Sequence, residues 1–140
     1  MYKENFIDNE IRKFALIFAR LMGLKADGKV DEFIYLADST LLNEYNIDWD
    51  ELPNMPADDF EALLQNNNYN ADKLDALAQI LYLRAEPFEN TAETFKILKK
   101  VLFVYDKLEQ QYHRQSLENI NKRNIIQQFL NADLASGIGT

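Results

Sequence analysis

The stretch Gly23-Leu24-Lys25-Ala26-Asp27-Gly28-Lys29-Val30-Asp31-Glu32-Phe33 has an Asp-Gly corner, an aliphatic residue two positions later and further acids after it. These are the residue types of a calcium loop. Counting decides whether the spacing fits. A twelve-residue calcium loop places oxygen ligands at its first, third, fifth and twelfth positions around a glycine at the sixth. With Gly28 at the sixth position Asp27 falls at the fifth, but Gly23 stands at the first, Lys25 at the third and Ile34 at the twelfth. Three ligands are missing and one is replaced by a cation, so the loop is not a calcium site. Its acids read instead as hairpin residues, with Asp27 as a helix cap and Asp31 and Glu32 beside a positive helix end.

Two other groups of residues have the types that chemistry needs. Asp48, Asp50, Glu51, Asp58, Asp59 and Glu61 could gather a hard cation or supply an acid/base pair, but they lie in a proline-broken polar stretch without a histidine among them. They read as solvated acids. His113, the single histidine, stands between Tyr112 and Arg114 at an expected helix end, where a hydrogen bond to a carbonyl explains it better than general-base catalysis. The chain has no cysteine, and its four glycines form no phosphate or dinucleotide loop and no serine elbow. No catalytic residue, cofactor or bound metal is expected, and the chain is read as not an enzyme.

Large apolar residues inside the most acidic segment remain. Trp49 lies near Tyr45, Leu52, Met55 and Phe60. Such residues either anchor the segment to a core or form an exposed aromatic patch with an acidic rim, the composition of a protein-binding hot spot. On the second reading Trp49, Phe60, Tyr69 and Tyr82 are the candidate contacts for a protein or peptide partner.

The formal charge of -8 disfavours nucleic acid, which requires an excess of cations on one face. Residues 1 to 25 hold five basic and three acidic groups, and residues 26 to 66 hold one and eleven. Residues 96 to 140 return to seven basic and four acidic. The negative band suits a basic protein surface or association between copies, so a homodimer is among the expectations. No apolar run approaches the length of a bilayer span, and the absence of cysteine suits a reducing compartment, so the cytoplasm is expected.

The elements that would position these residues are helical. Ile7, Ile11, Phe14, Phe18 and Leu21 step by four and three along one stripe, with Gly23 as the expected stop. Val30, Phe33, Ile34, Ala37, Leu41 and Tyr45 repeat that spacing, so a short turn joins two antiparallel helices. Residues 46 to 72 form a polar excursion with one short helix around Phe60, Leu63 and Leu64, opened at Pro56. Asn70 caps a helix with the stripe Leu74, Leu77, Ala78, Leu81 and Ala85, ended by Pro87.

Asn90 with Glu93 resembles a capping box for the next helix. That helix has two apolar stripes, Ile97, Val101, Val104 and Leu108 on one side and Phe95, Leu98, Leu102, Tyr105 and Tyr112 on the other. Lys96, Lys99, Lys100 and Lys107 occupy the remaining arc. A helix apolar on two sides is packed on two sides, so it is the expected centre of the core. Ser116 opens the last helix, in which Leu117 and Ile120 diverge from Ile125, Ile126, Phe129 and Leu130. Either this helix bends or its second half covers a partner, and packing within the chain is favoured.

Two stretches resemble halves of tetratricopeptide-type repeats, helix-turn-helix units that stack into scaffolds. One is Ala19-Arg20-Leu21-Met22-Gly23 followed by Gly28-Lys29-Val30-Asp31-Glu32-Phe33. The other is Phe95-Lys96-Ile97-Leu98-Lys99-Lys100-Val101-Leu102-Phe103-Val104. Phe33 and Val101 stand where that family has alanine. The same degenerate pattern is similar to short bacterial helical proteins, and Ala26-Asp27-Gly28-Lys29-Val30 resembles the acidic turn of tellurite-resistance-type helical domains.

The expectation is therefore an all-α chain of five to six helices in antiparallel hairpins, stacked in a tetratricopeptide-like way or as an irregular bundle. It forms a single domain over 1–134 with a flexible tail over 135–140. The expected function is that of a non-catalytic protein-interaction or adaptor module. An acidic metal-dependent sensor or enzyme and a structural subunit of an oligomer are the alternatives.

Overall fold

The computed structural model describes the backbone of residues 2–139 and the side chains of residues 9–132. Ile7 and the expected tail over 135–140 lie outside the described side chains. Among the described residues the chain is all α: α1 (Tyr2–Ala26), α2 (Val30–Tyr45), a 3-10 turn (Leu52–Asn54), α3 (Ala57–Asn66), α4 (Ala71–Ala85), α5 (Ala92–Tyr112) and α6 (Leu117–Gly139). None of these helices is long and apolar enough to cross a membrane. The backbone divides into two compact units, residues 1–51 and residues 52–140.

The first unit is the α1–α2 hairpin. Gly23 does not stop α1, because a helix tolerates a lone glycine and the next residues still bond within the helix. The stop is Gly28, in the left-handed region at φ +71. There Lys29 N–H donates to Leu24 O at 2.9 Å and Gly28 N–H to Lys25 O at 3.2 Å, the paired bonds of a Schellman motif. Asp27 therefore belongs to the end of α1 and does not cap α2, whose N-cap is Lys29 without a side-chain bond. Asp31 and Glu32 do occupy the first turn of α2. Phe14, Leu21 and Leu24 of α1 and Phe33, Ala37, Leu41 and Tyr45 of α2 are buried, with Phe14 and Tyr45 ring centroids 6.0 Å apart. Ile11 leaves the stripe and is 44% exposed.

In the second unit α5 packs against α4, α6 and the 3-10 turn, the central position its two apolar stripes imply. Ile97, Leu98, Val101, Val104, Tyr105 and Leu108 are all buried. Asn70 Oδ1 accepts Lys73 N–H at 2.8 Å and Ser116 Oγ accepts Asn119 N–H at 3.0 Å, so both expected caps form. The α5 cap shifts by one residue. Thr91 Oγ1, not Asn90, accepts Thr94 N–H at 3.1 Å, since an extended Thr91 aims its hydroxyl at the first turn.

The second half of α6 packs within its own unit. Ile126 is fully buried, and the Phe129 ring lies 5.5 Å from both Phe88 and Phe95. Lys100 departs from the expected polar arc. It is buried with its Nζ 5.9 Å from the Phe60 ring centroid, and desolvation, helped by Lys96, holds its pKa below the usual lysine value.

Candidate protein-interaction face

Three of the four aromatic residues expected at a contact surface are core residues. Phe60 is buried edge-on to Phe103 at 5.9 Å. Tyr82 is buried edge-on to Phe88 at 5.2 Å. Tyr69 is buried too, with Lys73 Nζ 5.1 Å over its ring and its backbone carbonyl accepting the Tyr112 hydroxyl at 2.9 Å. Desolvation raises the phenol pKa of both tyrosines. Their apolar rings gain more from burial than the polar sequence around them suggests. Trp49 alone remains half-buried at a surface.

The loop that presents Trp49 is built by local hydrogen bonds. Asn46, left-handed at φ 55, closes α2, and Ile47 N–H donates back to Leu41 O at 3.1 Å. Ile47 is fully buried and pins the return. Asp48 Oδ1 then accepts Asp50 N–H at 3.0 Å, and Asp48 O accepts Glu51 N–H at 3.2 Å. A turn tied through its own aspartate holds Trp49 beside α2.

Between this loop and the outer face of α2 runs an open groove of about 470 Å³. Ile34, Tyr35, Leu42 and Trp49 form its apolar lining, and Asp31, Asp38, Asp48 and Asp50 supply its charge, with no cation among the lining residues. Tyr35 is 76% and Leu42 53% exposed. On α2 the order Asp31, Tyr35, Asp38, Leu42 follows steps of four, three and four, so acids and apolar groups alternate along one helix face. Tyr35 and Leu42 are the residues that sequence reasoning passed over. Their signal was an apolar pair seven apart, off the buried stripe and interleaved with an aspartate pair seven apart.

Among the described residues no three histidine, aspartate or glutamate side chains converge to hold an ion. His113 closes α5 in the left-handed conformation, and it is the backbone N–H that bonds Leu108 O while the imidazole is exposed.

Comparison with protein-family models, with curated proteins and with solved structures finds no match to this chain.

Proposed function

We propose that the chain is a non-catalytic helical interaction module of the cytoplasm, and that the α2 groove takes a basic, amphipathic helix of a protein partner. The observation that carries this reading is the coincidence, along one groove, of exposed Tyr35 and Leu42, half-buried Trp49 and four aspartates, with no lysine, arginine or histidine among the lining residues. Aliphatic side chains of such a helix would cover the apolar lining while lysines or arginines one turn away meet the aspartates. Charge complementarity of this kind speeds encounter and fixes orientation. Desolvating the aromatic lining contributes most of the affinity. The paired helices α1–α2 and α4–α5 are in keeping with a tetratricopeptide-like adaptor, and the absence of cysteine with a reducing compartment.

Trp49 is the single tryptophan and lines the groove, so its emission reports occupancy. A synthetic helix of leucine and lysine repeats is expected to shift that emission saturably at low salt, and Tyr35→Ala with Leu42→Ala to weaken binding about tenfold or more. Equal binding by the charge-reversed leucine and glutamate helix would overturn the reading.

A further inference from the structure

Tyr35 is the more exposed of the two aromatic residues that line the α2 groove, at 76%. Its ring meets no other ring and no cation among the described residues. Asp31 lies four residues before it on the same helix, the spacing at which side chains are neighbours. Asp31 is exposed as well and forms no ion pair among the described residues. The two residues also line a shallow depression, which Arg20 borders, while Arg20 is not among the residues of the groove. In the loop, half-buried Trp49 is followed directly by exposed Asp50, and both line the groove. Asp38, by contrast, already has an interaction within the chain.

An aromatic face one turn from a carboxylate discriminates between cations. In an open groove an ion pair by itself contributes little, because both charges stay solvated and are screened by salt. What the cation covers therefore decides its affinity. A lysine ammonium is compact and strongly hydrated, and it offers a carboxylate a point charge. An arginine guanidinium is planar and weakly hydrated. It lies flat on an aromatic face while its edge donates two parallel hydrogen bonds to a carboxylate. Tyr35 supplies such a face and Asp31 such a carboxylate.

We infer that the groove selects arginine over lysine, with a guanidinium of the partner helix stacked on the Tyr35 ring and donating to Asp31. This rests on the groove being a surface for a basic amphipathic helix, and it names the side chain that docks there. Leu42 stands seven residues beyond Tyr35, about two turns along α2, and is left for an aliphatic side chain. A partner helix lying along α2 thus carries an arginine and an aliphatic residue about two turns apart.

Titration of the full chain with two synthetic helices, read through Trp49 emission, tests the selection. One helix has leucine and lysine repeats and the other leucine and arginine repeats, at equal length and charge. Lysine and arginine have nearly equal helix propensity, so the peptides differ chiefly in the cation. The arginine helix is expected to bind about fivefold more tightly, and to keep a larger share of its affinity as salt screens the Coulombic part. Tyr35→Leu keeps an apolar side chain but removes the ring, and is expected to abolish the preference with helical circular dichroism unchanged. Asp31→Asn is expected to weaken the arginine helix more than the lysine helix. Equal affinities for the unaltered chain, or an arginine preference that survives Tyr35→Leu, would overturn the inference. If the lysine helix binds as tightly as the arginine helix, the groove reading stands and only its choice of cation is wrong. If neither helix moves the Trp49 emission saturably, both fail.

Discussion

In the unit over 52–140, aromatic rings of α3, α4 and α6 each meet another ring, and α5 is covered on both apolar stripes. Several of its charges are paired as well. Arg123 Nη1 bonds Asp106 at 2.6 Å and its Nη2 lies 3.0 Å from Glu109, while Asn119 Nδ2 donates to Asp75 at 2.9 Å and Arg114 pairs with Asp72 at 2.6 Å. Leu117 and Ile125 of α6 are exposed, but scattered single hydrophobes are normal on any surface. The hairpin over 1–51 differs. It has one buried stripe per helix, and on its other faces Leu16, Tyr35 and Leu42 are exposed, the last two in a groove lined also by Asp31, Asp38, Asp48 and Asp50. Apolar surface that a unit leaves open in a charge pattern is surface available to a partner. On the proposed reading the bundle supplies stability and the hairpin supplies recognition.

Substitutions that act on one unit alone sharpen this contrast. Leu81 is fully buried in α4, and Leu81→Ala is expected to cost about 2–5 kcal/mol through lost burial and a residual cavity. Thermal unfolding followed by circular dichroism measures that loss. A change below about 1 kcal/mol would mean that the bundle is not the rigid part of the chain. The hairpin depends instead on its turn. Gly28→Ala places a side chain in the left-handed region and is expected to destabilise by about 1 kcal/mol. Open space around that position leaves backbone strain as the only cost, so Gly28→Asn should recover much of it.

The smallest effect has the opposite sign. The Tyr105 hydroxyl is buried without a hydrogen-bond partner, so Tyr105→Phe is expected to stabilise by about 1 kcal/mol. Burial is the main cause that raises the folded phenol's pKa, with smaller contributions from Asp75, Tyr82 and Glu118 and an opposing one from Arg123. The unfolded phenol loses its proton near pH 10, before the folded one does. Stability from this group is therefore complete below about pH 10 and falls as pH rises beyond it. Denaturant midpoints between pH 9 and 11 should fall less steeply for the Phe variant, and identical slopes would contradict the assignment.

Much of the fold was legible because it rests on period and caps. The double stripe from Phe95 to Tyr112 identified the central helix, and Asn70 and Ser116 marked two helix starts by the oxygen each offers to a free N–H. The α1 stop was misplaced at Gly23 because composition does not reveal which glycine takes positive φ. The site was less legible for a physical reason. Periodicity assigns apolar residues to a core, so Tyr35 and Leu42, which lie off the stripe, were overlooked. Phe60, Tyr69 and Tyr82 were instead assigned to a surface because polar residues surround them in sequence, although their ring partners lie far along the chain. Trp49 stays half-buried in its loop, where Asp48 and Asp50 line the groove with it.

Resonance-by-resonance mapping of the leucine and lysine helix on the 15N-labelled chain tests the division of labour most directly. The perturbed amides are expected to fall on residues 31–42 and 48–50, at the walls of the groove, and to diminish in the Tyr35→Ala, Leu42→Ala variant at unchanged thermal stability. Perturbations confined to residues 52–132, or none at saturating peptide, would contradict the account.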